Sequence, residues 1–302
     1  MMKEISKIGS IEELNTHNGI ETAHPLVTVL DLSKSKPEPA IKLHFELYGI
    51  FLKDSTCNAI KYGRQYYDYQ KGTLVFVAPG QIVEIEDEAE GELHQPSGWV
   101  LFFHPDLIRG TSLAQNMKEY SFFSYQVNEA LHISESERLF VIDCFLKLQT
   151  EIQRPIDKYS RRLIADYIEL LLNYCVRFYD RQFIIREQVH KGIVEKFENL
   201  LDSYFNSDQL INEGLPSVGY CADKLNLSAK YFGDLIKKET GKSALEYIQI
   251  RLIELAKERI FDTDKTVSEI AYQLGFKYPQ HFTRLFKQKV GQSPNEYRMR
   301  VN

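Results

Sequence analysis

The stretch "GFKYPQHFTRLFKQKVGQSPNEYR", Gly275 to Arg298, reads as a helix with two unlike faces. Phe282, Leu285, Phe286 and Val290 recur at helical period and form an apolar stripe. Gln280, His281, Thr283, Arg284, Lys287 and Gln288 fill the remaining surface. All of these can donate hydrogen bonds and none is acidic. Such a face is either simply solvated or directed at something that accepts hydrogen bonds and carries negative charge.

The segment has a partial twin upstream. At an offset of 50, residues 231–247 match 281–297 at seven of 17 positions, among them Phe232/Phe282, Leu235/Leu285, Lys237/Lys287, Gly241/Gly291 and Tyr247/Tyr297. At an offset of 49, Val218/Val267, Ala222/Ala271 and Leu225/Leu274 also correspond. Each copy predicts a short helix (218–225; 267–274), a tight turn (Asn226-Leu227; Gly275-Phe276) and a longer helix (228–240; 279–290). Asn or Gly in the turn tolerates positive φ, and Gly241 and Gly291 stand where a left-handed C-cap is expected. The small Ala222 and Ala271 let the two helices cross closely. This is the pattern of a helix-turn-helix, whose second helix enters a major groove. Between the copies, 243–261 reads as one helix roughly 28 Å long, against about 34 Å between successive groove entries. A connector of that length places both second helices on adjacent turns of a somewhat bent duplex.

Charge is divided accordingly. The net formal charge of the 302-residue chain is −5, but residues 216–302 carry +5 and the remainder −10. No apolar run is long enough to span a bilayer, and the N-terminus lacks the apolar core of a secretory signal. Cys57, Cys144, Cys175 and Cys221 are scattered without a CxxC pair, which argues against a structural zinc site or a thiol redox motif and suits a reducing cytoplasm.

The element "VSEIAYQLGFKYPQHFTRLFKQKVGQSPNEYR" strongly resembles the AraC/XylS family of bacterial transcription regulators, through Ile270-Ala271, Gly275-Phe276, Phe282, Arg284, Phe286-Lys287, Gly291, Ser293-Pro294 and Tyr297-Arg298. The resemblance covers about a third of the chain. It implies promoter DNA and RNA polymerase as partners, two helix-turn-helix units, and an N-terminal β domain, often cupin-like, that senses a small molecule or dimerises. It places base contacts at Gln280, His281 and Arg284. Side-chain chemistry agrees: Arg reads guanine O6 and N7, Gln reads adenine N6 and N7, and Thr283 and Lys287 suit phosphates. In the first copy Lys230, Tyr231 and Lys237 are expected to anchor the backbone. There Asp234 replaces the arginine, so it either accepts from a cytosine amine or pairs with Lys230 or Lys237.

The whole is expected to be an α+β protein in three parts. Residues 1–132 form a cupin-like β-barrel or sandwich, 133–187 a helical linker and dimerisation region, and 188–302 the all-α DNA-binding domain. In the first part "IKLHFELYGIFLK" alternates, with Ile41, Leu43, Phe45 and Leu47 on one face and Lys42, His44, Glu46 and Tyr48 on the other. "GTLVFVAPGQIVEIE" reads as a strand pair turned at Pro79-Gly80. His44, Glu46 and Tyr48, with Tyr62 and Tyr66 of the cluster Tyr62, Arg64, Tyr66, Tyr67 and Tyr69, are candidates for lining an effector pocket; the alternative is a solvated strand face with tyrosines at its edge. A metal-dependent enzyme is the competing class, with His44, Glu46, His94 and His104 as the only fragments of a ligand set. No catalytic residue, metal or cofactor is predicted. Ser134 and Glu137 form a capping-box pattern opening one helix, and a second helix near 159–183 is apolar on more than one side, which suits packing against a copy of itself in a homodimer.

Overall fold

The computed structural model describes residues 5–34, 41–53, 61–62, 65–66, 72–85, 97–125, 129–185, 187–262 and 264–301. The chain divides into two units, Met1–Ile185 and Arg186–Asn302. It is a mixed α+β protein, with a sheet region in the first unit and an all-helical second unit.

Two sheets dominate the first unit. One has the order β1 (Ile5–Ile8), β3 (Ile41–Phe45), β8 (Gln81–Ile85), with β1 parallel to β3 and β8 antiparallel. The other runs β10 (Leu131–His132), β7 (Thr73–Val77), β4 (Tyr48–Lys53), β9 (Gly98–Phe103), β2 (Val27–Asp31), all antiparallel. A separate small ribbon pairs β5 (Lys61–Tyr62) with β6 (Gln65–Tyr66). Leu43 and Phe45 of the first sheet meet Leu30, Val77, Val100 and Phe102 of the second, closed at one end by Ile11 and Leu14 of α1 (Ile11–His17).

Two expectations change here. The alternating run 41–53 is not one strand: it bends at Glu46–Leu47 and passes from the three-stranded to the five-stranded sheet. Likewise 73–85 is no hairpin. Pro79–Gly80, with Gly80 at φ +89°, carries the chain back from the second sheet to the first. The two crossings are tied at one corner, where the Gly80 amide donates to the Phe45 carbonyl at 2.7 Å. Alternation fixes which side chains face inward but does not say which sheet receives the strand.

The five-stranded sheet is covered on both faces, which is why "LVFV" and "WVLFF" read as continuous apolar runs. Gly49 has no room for a β-carbon, which would lie 2.9 Å from the Phe102 ring. On the far face Phe76 packs against Phe122, Phe123 and Tyr179. Two short helices, α2 (Pro105–Ile108) and α3 (Ser112–Asn116), lead into this layer. It is completed by α4 (Glu135–Ile152), opened by the expected Ser134/Glu137 capping box, and α5 (Ser160–Ile185). Helix α4 lies against β2 and β9, and α5 against β10. Arg161 of α5 donates to the carbonyls of Asp106, Leu107 and Arg109, and Glu169 accepts from Ser112 and Asn116 at 2.6 and 2.7 Å. Residues 133–185 therefore pack into the first unit. One side of α5 is buried through Ile164, Ile168, Leu171, Leu172 and Cys175, whereas Leu163 and Leu170 are exposed.

The second unit is built on α6 (Glu187–Phe205) and α10 (Ala244–Ile260). The turn-rich segment after α6 contains a short helix, α7 (Gln209–Glu213), which ends at Gly214. Then follow α8 (Val218–Lys224) and α9 (Ala229–Thr240) before α10, and α11 (Val267–Gln273), α12 (Pro279–Val290) and α13 (Pro294–Val301) after it. Ser217, Ser228, Ser243 and Thr266 each cap a helix by accepting from a backbone amide three residues on. Gly241 and Gly291 end α9 and α12 in the left-handed region.

A candidate nucleic-acid interface

Each copy of the repeat forms two helices across a turn at positive φ, Asn226 at +56° and Gly275 at +79°. Ala222 and Ala271 are fully buried where the helices cross. The second turn is the more constrained. A β-carbon on Gly275 would stand 2.2 Å from the Leu210 carbonyl oxygen, so only glycine fits against the end of α7.

Arginines lock the helices of this unit at their C-terminal ends, where backbone carbonyls lack helical partners. Arg298, part of the sequence signature, donates to the carbonyls of Ile260 and Asp262 at the end of α10, at 2.7 and 3.4 Å. Arg259 reaches the carbonyl of Gln273 at 3.2 Å and of Phe205 at 3.5 Å. Lys289 of α12 pairs with Glu246 of α10 at 3.2 Å. Such charge-assisted bonds contribute about 1.5–3 kcal/mol each when well formed. With α10 spanning about 26 Å, they set α9 and α12 on one scaffold.

On α12 only Phe282 and Phe286 are buried. Gln280, His281, Arg284 and Lys287 all lie on the exposed side, and no residue from 279 to 290 is acidic. Gln280 and Arg284, one turn apart, share a face. The His281 ring meets the edge of Tyr278, 5.5 Å between centroids. Tyr278 is itself 57% exposed at the helix entry, an aromatic on this surface that the apolar-stripe reading passes over. Thr283 differs from expectation. It is half-buried and its hydroxyl donates to the Pro279 carbonyl at 3.1 Å, so its proton is held by the helix instead of by a phosphate.

Helix α9 buries a wider arc: Tyr231, Phe232, Leu235 and Ile236. Tyr231 is 2% exposed, so its expected role as a backbone anchor is not available to its ring. Its i+4 partner Leu235 carried the signal, since the pair forms a second apolar stripe beside Phe232 and Ile236, where α12 has His281 and Leu285. Lys230 and Lys237 remain exposed. Asp234 is held by Lys230 across 3.5 Å, one of the two alternatives its sequence context offered. Gly233 is half-buried on the polar side of α9, with nothing within 4 Å of a hypothetical β-carbon. Glycine there costs the helix about 1 kcal/mol relative to alanine.

In the first unit His44 and Tyr48 stand on strands of different sheets. His44 and Glu46 belong to β3 and its bend, while Tyr48 begins β4 in the other sheet, stacked on Phe103 at 5.0 Å and edge-on to Phe123 at 5.2 Å. Burial pushes its phenol up. Glu46 pairs with Lys7 at 2.6 Å; that hydrogen bond first, and then the charges of Lys7, His44 and His104, hold its carboxyl below the usual range. Sequence distance hid this proximity of His104. Tyr62 and Tyr66 sit on β5 and β6, diagonal to each other across the ribbon. Arg64, Tyr67, Tyr69 and His94 lie outside the described residues. Among the described residues no group of three His, Cys, Asp or Glu side chains is placed to hold a metal, and no helix is long and apolar enough to cross a membrane.

Comparison with known proteins concerns mainly the second unit. A helix-turn-helix domain model matches residues 221–300. This C-terminal unit is similar to the helix-turn-helix domains of AraC/XylS-type regulators. An uncharacterised transcriptional regulatory protein, YesN of Bacillus subtilis, is 35% identical over 94 residues, 30% of this chain and 26% of that protein. The transcriptional activator RhaS of Citrobacter koseri is 35% identical over 78 residues, 26% of this chain and 28% of its own length. The chain thus spans little more than a quarter of either relative. Among solved structures, the C-terminal domain of AraT, a response regulator from Geobacillus stearothermophilus, shares 29% identity over 36% of this chain and 85% of that one, with a TM-score of 0.32.

Proposed function

We propose that this chain is a sequence-specific DNA-binding transcription regulator. In this reading α8–α9 and α11–α12 are two helix-turn-helix units on promoter DNA, and α12 carries most of the base reading. The carrying observation is the donor-rich, acid-free outer face of α12, where Gln280, His281 and Arg284 are exposed together. Arg284 and Gln280 have the reach and donor geometry for guanine and adenine edges, and Lys287 for phosphate. On α9, Lys230 and Lys237 supply backbone contacts and Asp234 stays neutralised by Lys230.

The first unit, in the same reading, is a cupin-like sensor of a small molecule, with His44 and Glu46 at one candidate contact region. The chain works as a cytoplasmic homodimer and acts on RNA polymerase. The exposed Leu163 and Leu170 of α5, and Leu139 and Leu146 of α4, offer apolar side chains to a second copy. Selection of duplexes from a randomised library by the full chain tests the central reading. An enriched motif whose preference at one base pair is lost in Arg284→Ala supports it; absence of any enriched motif overturns it. Sedimentation of the full chain checks the dimer, and a thermal-shift screen against sugars and aromatic acids checks the sensor.

A further inference from the structure

Gly233 sits in the middle of a twelve-residue helix, half-buried on its polar side, with open space where a β-carbon would be. It has ordinary helical backbone, not the positive φ that would demand glycine. Among the described residues no atom lies within 4 Å of where its β-carbon would stand, so none of them accounts for a residue that weakens the helix. It is bracketed by cations: Lys230 lies three residues before it and Lys237 four after, both exposed. The counterpart in α12 is Thr283, which has a side chain and a hydroxyl bonded to its own helix.

We propose that α9 meets the sugar–phosphate backbone of duplex DNA through the bare helix surface at Gly233, with Lys230 and Lys237 holding phosphates on either side. The inference rests on the DNA-binding reading above and adds to it a positioning residue that acts by having no side chain. A backbone brought this close makes contacts that depend on phosphate position and not on base identity. The two helices then divide the work: α9 sets distance and register, and α12 reads bases. Asp234, the next residue along, is kept from repelling the same phosphates by its pairing with Lys230.

The test uses the full chain with Gly233→Ala, Arg284→Ala and, as a control, Gly192→Ala in α6, where a β-carbon also meets open space. Two 40-base-pair duplexes serve as probes, one selected from a random library by the wild-type protein and one of mixed sequence. Both glycine variants are expected to raise the melting temperature, by roughly 2–4 °C. Gly233→Ala should nonetheless weaken binding to both duplexes by a similar factor, roughly tenfold. Its ranking of base substitutions in the selected duplex should stay that of the wild type. Gly192→Ala should leave both affinities unchanged. Wild-type affinity in Gly233→Ala, or equal weakening by Gly192→Ala, overturns the proposal. Failure of Arg284→Ala to change binding to the selected duplex instead overturns the base-reading role of α12, so the two failures are distinguishable.

Discussion

Helices α9 and α12 occupy the same place in two copies of one module, yet they show different surfaces. Tyr231 and Leu235 add a second buried stripe to α9, whereas the matching His281 is exposed on α12. Burial on one side thus sets how wide a face is left for a partner. The turns differ in the same manner. Asn226 satisfies a need for positive φ alone, while Gly275 satisfies that need and a steric one against Leu210. A duplicated fold can keep its caps and crossings and still divide its labour, because the outward arc is free to change once the core is filled.

The largest effect that tests this contrast is on stability. Tyr231→Ala should cost about 3–5 kcal/mol, as for other buried aromatics, and His281→Ala within about 0.5 kcal/mol. Urea denaturation of the full chain measures both; a mild Tyr231→Ala would return that ring to the surface. Gly275→Ala should follow, at about 2–4 kcal/mol, because strained φ and the clash with Leu210 add. Asn226→Gly should stay within about 0.5 kcal/mol. Comparable costs at the two turns would erase the asymmetry between them.

Smaller effects concern charge. Asp234→Asn should tighten binding to a mixed-sequence duplex by about 0.5–1 kcal/mol, since one repulsion from phosphate is lost and the charge of Lys230 is no longer shared with a carboxylate. A titration across salt concentrations reads this, and weaker binding would mean that Asp234 is itself a favourable DNA contact. The smallest is a pH effect at the helix starts. The Thr266 amide and then its hydroxyl hold the Glu269 carboxyl below its usual range, and the Ser293 amide and hydroxyl do the same for Glu296. A depressed carboxyl stabilises the fold above the unfolded value of about 4.3 and loses that contribution as pH falls through it. Thermal melts should therefore decline below about pH 4.5, less steeply in Glu269→Gln.

Much of the second unit is legible in sequence because its rules are local. Helical period, Gly241, Gly291 and the Asn226 and Gly275 turns each act within a few residues, and the structure places them as the pattern implies. The first unit is less legible because its decisive features are not local. The bend at Glu46–Leu47 sends one alternating run into two sheets, so His44 and Tyr48 part company. The same limit hides Tyr231, whose burial depends on the neighbours of α9; the tie between Thr283 and Pro279 is local but depends on a hydroxyl rotamer. Lys230 and Asp234 could be paired in advance because a spacing of four on a helix is itself a local rule.

The central claim is that base reading lies with α12 more than with α9, and base preference across the selected duplex measures it most directly. Every base pair is substituted in turn and titrated with wild type, Arg284→Ala and Lys230→Ala. Arg284→Ala should cost about 1–3 kcal/mol on the selected duplex and flatten the preference at one position. Lys230→Ala should weaken all duplexes about equally and lower the salt slope by about one. A larger loss of base preference in Lys230→Ala than in Arg284→Ala would contradict the account.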